Sequence, residues 1–131
     1  MLKQVIAQGP WGRVLLLDSI TQLEPDDAGA IVIAGSHGGT SSGEVACSLP
    51  LAAVFFNDAG VGKHDAGIVA LQMLQRRGVP AGAVAHTSAR IGEALDSWQH
   101  GVISRLNDAA HAKGWREGQA LQAVLRRAGA A

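Results

Sequence analysis

The sequence has few of the features that mark disulfide-bonded, nucleic-acid-binding or membrane-spanning proteins. Its one cysteine, Cys47, excludes an internal disulfide and gives no sign of an oxidising compartment. Lysine and arginine (11) balance aspartate and glutamate (11), so the basic excess of nucleic-acid binders is missing. No apolar run approaches the roughly 20 residues that a membrane span needs, and the N-terminus lacks a signal-peptide pattern. We therefore expect a cytoplasmic protein that binds neither nucleic acid nor membrane.

What the chain does have is enough apolar material for one core. Hydrophobic residues make up 47% of the 131 positions and charged residues 17%, a balance typical of a folded globular domain. A chain of this length supports a single hydrophobic core. We predict one domain that spans residues 1–131.

Apolar runs separated by helical patterns predict an α/β fold. The runs at residues 13–18, 30–34, 51–56 and 81–85 are expected to be strands, and a turn at residues 9–12 predicts an N-terminal hairpin with residues 3–7. Helical spacing follows at about residues 44–48, 65–77, 91–109 and from 117 onward. This alternation predicts a three-layer sandwich around a mostly parallel sheet, Rossmann-like or caspase-like in arrangement.

The clearest amphipathic pattern lies in the segment 91–109. Ile91, Leu95, Trp98 and Val102 recur at helical spacing, and Ser88 is positioned to cap the helix that they predict. Gly101 is positioned to kink this helix or to divide it in two. We expect this stripe to pack into the core, with a subunit interface as the alternative.

Polar loops follow three successive predicted strands, and this is the main sign of function. In a parallel sheet the carboxyl ends of the strands share one edge, where ligands usually bind. The residues that we predict to bind a ligand there are Ser36, Gly38, Gly39, Thr40, Asn57, Gly60, Gly62, Lys63, His86, Ser88 and Arg90. The two that we predict to be catalytic are His37 and Asp58.

The residue types at this edge suit an anionic ligand. Backbone amides at Gly38 and Gly39 are available to steady negative charge, and Lys63 and Arg90 to hold a carboxylate or phosphate. His37 is the expected general acid or base, because histidine changes charge near neutral pH. His86 is the next candidate for that role. Asp58 would orient or share protons.

Several familiar motifs are absent. Around Gly60, Gly62 and Lys63 the pattern of a phosphate-binding P-loop fails, because Asn57 stands where a glycine is needed and His64 where a hydroxyl is needed. No serine lies in the elbow motif of serine hydrolases, and no short metal-ligand spacing occurs. We predict no metal site, and the sequence identifies no cofactor.

Two resemblances to known families extend this interpretation. The runs GSHGG at 35–39, FNDAGVGK at 56–63, SARIG at 88–92 and GVIS at 101–104 resemble a family of small bacterial α/β proteins. That resemblance covers most of the chain and implies a shared site, but no particular reaction. The order of His-Gly and Ala-Gly-x-Gly strand ends is more loosely similar to caspase-like and CHAT peptidase domains. His37 would match their histidine, but no cysteine stands near Asn57 to Gly60, so peptidase activity is not implied.

Two functions remain open on these grounds. One is an enzyme that acts on a small anionic metabolite by hydrolysis, elimination or isomerisation with His37 and Asp58. The other is a non-catalytic metabolite-binding module, a homo-oligomer or the small subunit of a larger enzyme.

Overall fold

One sheet of six strands, which lie side by side in chain order, organises the molecule. The computed structural model describes residues 1–131. The strands are β1 (Lys3–Gly9), β2 (Gly12–Leu17), β3 (Ile31–His37), β4 (Ala53–Asn57), β5 (Ala81–Val84) and β6 (Ile103–Leu106). The helices are α1 (Thr40–Ala46), α2 (Val69–Gln75), α3 (Ala94–His100), α4 (Asp108–Ala112) and α5 (Leu121–Arg127). None of the helices has the length and apolar character that a membrane span requires.

The sheet is mixed, which corrects the expectation of a mostly parallel sheet. Strands β2 to β5 are parallel, but β1 and β6 pair antiparallel with their neighbours at the two edges. The N-terminal hairpin is confirmed, because only Pro10 and Trp11 separate β1 from β2. A short connection of that kind can join only antiparallel strands, whereas parallel strands need a longer crossover.

Helices cover both faces of the sheet. Side chains alternate between the faces along each strand, so Leu16 and Phe55 pack with α3 and α5 on one face. Leu15 and Phe56 pack with α1 and α2 on the other. The chain leaves β4 toward α2 and leaves β5 toward α3, on opposite faces. Loops that diverge in this way open a crevice between two neighbouring strand ends.

The long helix predicted over residues 91–109 is wrong. The segment forms α3, then β6, then α4, and Gly101 ends the first helix. The side chain of Asn107 starts α4 by accepting a hydrogen bond from the amide of Ala110. Pairing with β5 is a long-range interaction, and it overrides the helical spacing of these residues.

The apolar stripe predicted on that helix is only partly in the core. Trp98 is buried, but Ile91, Leu95 and Val102 are exposed. Ser88 does not cap a helix, because α3 begins only at Ala94. These three exposed apolar side chains follow from the break at Gly101 and from the non-helical backbone before Ala94.

Candidate functional site

The three polar loops do reach one edge of the sheet. His37 pairs with Asn57 and Asn57 pairs with Val84, so the ends of β3, β4 and β5 are direct neighbours. Hydrogen bonds tie the loops together: the side-chain amide of Asn57 donates to the Ala89 carbonyl at 2.9 Å. The two polar groups of Asn57 are both used inside the protein, since its oxygen accepts from the amide of Ala59.

Asp58 is the centre of the polar contacts at this edge. It is only 5% exposed, and its carboxylate accepts hydrogen bonds on both oxygens. One oxygen, Oδ1, accepts from the amides of Gly60 (2.8 Å) and His86 (3.0 Å) and lies 3.2 Å from the ring nitrogen Nδ1 of His86. The other, Oδ2, accepts from the hydroxyl of Ser104 at 2.6 Å. The buried carboxylate is therefore fully hydrogen-bonded.

These hydrogen bonds keep Asp58 ionised. Burial alone would raise the pKa of this carboxyl, but the bonds from Ser104, Gly60 and His86 outweigh burial and hold the pKa below its usual value of 3.8. A buried aspartate of this kind is a stable negative charge at neutral pH. It carries that charge without a lysine or arginine partner.

His86 is the only ionisable side chain that contacts Asp58. Its ring is 54% exposed, so one side of the imidazole meets solvent while Nδ1 faces the carboxylate. Gly60 passes close beside the ring: a Cβ at that position would lie 3.5 Å from the ring carbon Cε1. Gly60 also has a φ of 77°, a left-handed conformation that favours glycine.

Ser104 is the site residue that sequence reasoning missed. It lies on β6, in the segment that was predicted to be helical. The pairing of β5 with β6 shifts register between Ala83 and Val84, and Ser104 is the extra residue of this bulge. Bulges re-aim side chains near functional sites, and here the bulge lets the hydroxyl reach Asp58. The one signal in the sequence was the run GVIS at 101–104, which ends in this serine.

The loop after Asp58 has an unusual backbone. Positive φ angles occur at Ala59, Gly60, Val61, Gly62, His64 and Asp65. For Val61, with φ of 65°, the left-handed region is unfavourable because the side chain is β-branched. Two short hydrogen bonds hold it there, from its amide to the Asp58 carbonyl and from the Gly67 amide to its own carbonyl, both 2.6 Å. Strain of this kind persists only where the surroundings enforce it.

Lys63 and Arg90, the predicted anion ligands, are both exposed. The ammonium group of Lys63 has no ion-pair or hydrogen-bond partner in the protein. Arg90 lies 3.9 Å from Glu93, a loose contact between two exposed side chains, while its backbone amide donates to Asp96. Both cations are therefore free to meet a ligand in solution.

His37 lies on the other side of Asn57 and does not contact Asp58. Its side chain is exposed and makes no hydrogen bond. The ring packs against Gly39, where a Cβ would come within 2.9 Å of the ring nitrogen Nε2. The amide of Gly38 donates to the Gly67 carbonyl, so it is not free to steady a negative charge. Gly39 and Thr40 begin α1, with the first as its N-cap. The structure thus joins Asp58 to His86 rather than to His37.

Two further predicted ligands bond within the protein. The hydroxyl of Ser88 donates to the Ala85 carbonyl and accepts from the amide of Val102. These two bonds connect the loop after β5 to the start of β6. The hydroxyl of Ser36 accepts from the amide of Ile20. These bonds fix the loops, and only the hydroxyl proton of Ser36 is left to donate elsewhere.

The remaining histidines and the cysteine lie away from the pair. His100 contacts Asp96 and His111 contacts Glu117, both on the surface. Cys47 follows α1 and is half-buried. No group of three His, Cys, Asp or Glu side chains lies close enough together to hold a metal ion.

Comparison of the chain with protein-family models, with curated proteins and with solved structures returned no match.

Proposed function

We propose that the protein is an enzyme that moves protons on a small anionic metabolite, with His86 as the acid–base group and Asp58 as the residue that orients it. The observation that carries the proposal is the 3.2 Å separation between His86 Nδ1 and Asp58 Oδ1. A carboxylate beside one imidazole nitrogen is the arrangement that general bases use. The acid–base role thus moves from His37 to His86.

The proposed mechanism follows from the charges of the pair. Asp58 is ionised, so it favours the tautomer in which Nδ1 carries the proton and Nε2 presents its lone pair. The exposed ring then takes a proton from a bound substrate or from water. Asp58 steadies the imidazolium that forms, and the proton returns to the product.

Ser104 is not the nucleophile in this proposal. Its hydroxyl donates to Asp58, so no serine-to-histidine hydrogen bond exists. Such a bond is what activates a serine. The chemistry that fits is therefore hydrolysis by water, elimination or isomerisation, without a covalent intermediate.

The proposed ligand is anionic because an exposed cation lies on each of the two loops that carry the pair. Lys63 lies on the same loop as Gly60, which passes beside the His86 ring. Arg90 lies on the loop that His86 begins. A carboxylate or phosphate group would be held by these two exposed cations.

The finer fold assignment also belongs to this proposal. Helices on both faces of the sheet support a three-layer, Rossmann-like or caspase-like arrangement. The resemblance to small bacterial α/β proteins supports the same site, since its runs contain Asp58 and Ser104. The caspase-like resemblance adds no nucleophile, because Asn57 is fully buried and no cysteine is near.

One observation favours the second candidate, a binding module or enzyme subunit. Ile91, Leu95 and Val102 are exposed apolar side chains close to the ends of α3. Exposed apolar residues of this kind are typical of surfaces that meet a partner.

The test is a thermal-shift screen of small carboxylates and phosphates, followed by turnover assays on the ligands that bind. A ligand at 100 times its dissociation constant stabilises a protein by about 2.7 kcal/mol, which is easily detected. For a ligand that is turned over, His86→Ala should lower kcat by about 10² to 10⁴-fold and leave KM nearly unchanged.

His100→Ala is the matched control, because His100 is also an exposed histidine beside an aspartate, 2.9 Å from Asp96 on α3. It should keep the wild-type rate. Turnover by His86→Ala at the wild-type rate would exclude the proposed mechanism. Binding that is lost in Lys63→Ala without any turnover in the wild type would favour the non-catalytic module.

A further inference from the structure

A second pocket lies beside the ends of β2 and β3, on the far side of Asn57 from the His86–Asp58 pair. Its volume is about 350 Å³, within the range of small-molecule pockets. We call it the Ser42 pocket; its lining includes Ile20, Ser36, His37, Ser42, Val45 and Ile91. Neither Asp58 nor His86 lines it.

Ser42 is the unexplained residue of this pocket. It lies on α1, is only 7% exposed, and its hydroxyl makes no hydrogen bond in the protein. The hydroxyl of Ser97 also lacks a partner, but its oxygen is sealed inside the protein, whereas Ser42 lines an open space. The Ser42 hydroxyl is open to the pocket and has no partner in the protein, so a ligand group that bonds to it there gains affinity.

The other walls show what kind of ligand fits. Ile20, Val45 and Ile91 are apolar, while Ser36 keeps a hydroxyl proton to donate because its oxygen already accepts from an amide. His37 lies at the exposed rim and makes no bond of its own. An apolar wall with a few converging polar groups is the usual composition of a ligand pocket.

The pocket has no side chain to neutralise an anion. No lysine or arginine lines it, and its one carboxylate, that of Asp18, is occupied by the amides of Leu2 and Ala94. A carboxylate or phosphate bound at Ser42 would have no lysine or arginine partner and would lie in a pocket that already holds the Asp18 carboxylate, with the terminal ammonium of Met1 as the one positive group among the lining residues. An uncharged group therefore suits the two hydroxyls better.

We propose that the Ser42 pocket binds a small uncharged molecule with an apolar body and one amide, carbonyl or hydroxyl group. Ser42 and Ser36 donate hydrogen bonds to that group, and the isoleucine and valine side chains contact the body. The site is separate from the proposed catalytic pair and does not depend on its activity.

Benzamide and benzoate test this proposal, because they have the same size and differ in charge. Binding is followed by the shifts of backbone amide signals in two-dimensional NMR, with benzyl alcohol as a second uncharged probe. We expect benzamide to shift the amides of residues 36, 42 and 91, and benzoate to bind at least about tenfold more weakly. Ser42→Ala should weaken benzamide about five- to tenfold, the loss of one hydrogen bond.

Two variants separate this site from the catalytic proposal and from simple misfolding. Glu44→Ala, on the same helix at an exposed position outside the pocket, should bind benzamide like the wild type. His86→Ala should also bind it unchanged, so the loss of catalysis and the loss of this site are distinguishable. Equal binding of benzoate, unchanged binding by Ser42→Ala, or no shift at these residues with either uncharged probe would overturn the proposal.

Discussion

Asp27 and Asp58 are both buried, and both have pKa values below the usual value of 3.8, but the surroundings that stabilise them differ in kind. Asp27 lies in the connection between β2 and β3, accepts a hydrogen bond from the amide of Glu24 at 2.8 Å, and is 3.0 Å from Lys3 and 3.3 Å from Arg13. Asp58 lies at the end of β4 and has hydrogen bonds from Ser104, backbone amides and His86.

This difference shows which of the two carboxylates can take part in acid–base chemistry. Two permanent cations neutralise Asp27, so no proton can be exchanged there near neutral pH. Asp58 has no permanent cation, and its one ionisable neighbour is a half-exposed histidine. Asp27 therefore links the N-terminal hairpin, through Lys3 and Arg13, to the connection between β2 and β3. Asp58, in contrast, can orient an acid–base group.

Removing the two carboxylates should show the largest contrast. Asp58→Ala leaves the hydroxyl of Ser104 and two amides unpaired, and we expect it to lower the free energy of unfolding by about 3 kcal/mol. Asp27→Ala should cost about 1.5 kcal/mol, because Lys3 and Arg13, 29% and 31% exposed, can turn toward water. Urea denaturation measures both, and Asp26→Ala, at an exposed neighbour, is the control. An equal loss of unfolding free energy in Asp58→Ala and Asp27→Ala would refute the difference proposed between the two carboxylates.

Low pH should reduce the stability contributed by both Asp27 and Asp58. High pH should reduce only the contribution of the region around Asp27. A carboxylate with a lowered pKa stabilises the fold fully above 3.8, the value in the unfolded chain, and loses that contribution as the pH falls through the folded value. Asp27→Asn and Asp58→Asn should thus each flatten the fall in stability below about pH 4. Urea midpoints between pH 5 and pH 2 measure this effect.

The loss of folding stability at high pH depends on Lys3. Burial lowers the pKa of Lys3, but its bonds and charge contacts with Asp27 and Glu24 outweigh burial and raise the pKa above 10.5. Its contribution is present below 10.5 and is lost as the pH rises through the folded value. Alkaline destabilisation should be smaller in Lys3→Met, and Asp58→Asn should leave it unchanged.

Salt should produce the smallest effect. The partners of Asp27 are partly exposed, so about 1 M sodium chloride should weaken the coupling between Lys3 and Asp27 by about 0.5 kcal/mol. The coupling between Asp58 and Ser104 involves a neutral, partly buried hydroxyl and should not change. Double-mutant cycles at low and high salt measure the two values. Equal salt sensitivity would mean that the two carboxylates are stabilised alike.

The central strands could be predicted from the sequence because local pattern and final structure agree there. Val32 and Ile33 in β3 and Phe55 and Phe56 in β4 are apolar on both faces, as strands covered on both sides must be. Strand β6 could not be predicted, because Trp98, Val102 and Leu106 share a helical spacing. Its pairing with β5 is a contact between distant parts of the chain.

Two residues of the candidate site, Asp58 and His86, were predicted, but their contact was not. Asp58 and His86 both follow apolar strands, so the sequence marks them. His37, however, ends β3 and His86 follows β5, the two strands that flank β4, and nothing local decides which of them meets Asp58. The amide of Asp58 bonds to Val84 on β5, which settles the partner. Ser104 was missed because its segment was predicted to be helical, whereas it forms β6.

The most direct test of the account is the tautomer of His86, read from the ring nitrogen shifts in ¹⁵N NMR. The account predicts that the neutral ring carries its proton on Nδ1, toward Asp58, and that Asp58→Ala shifts the proton toward Nε2. His100, beside Asp96 on the surface, should be unaffected by that substitution. A neutral His86 with its proton on Nε2 in the wild-type protein would contradict the proposed acid–base pair.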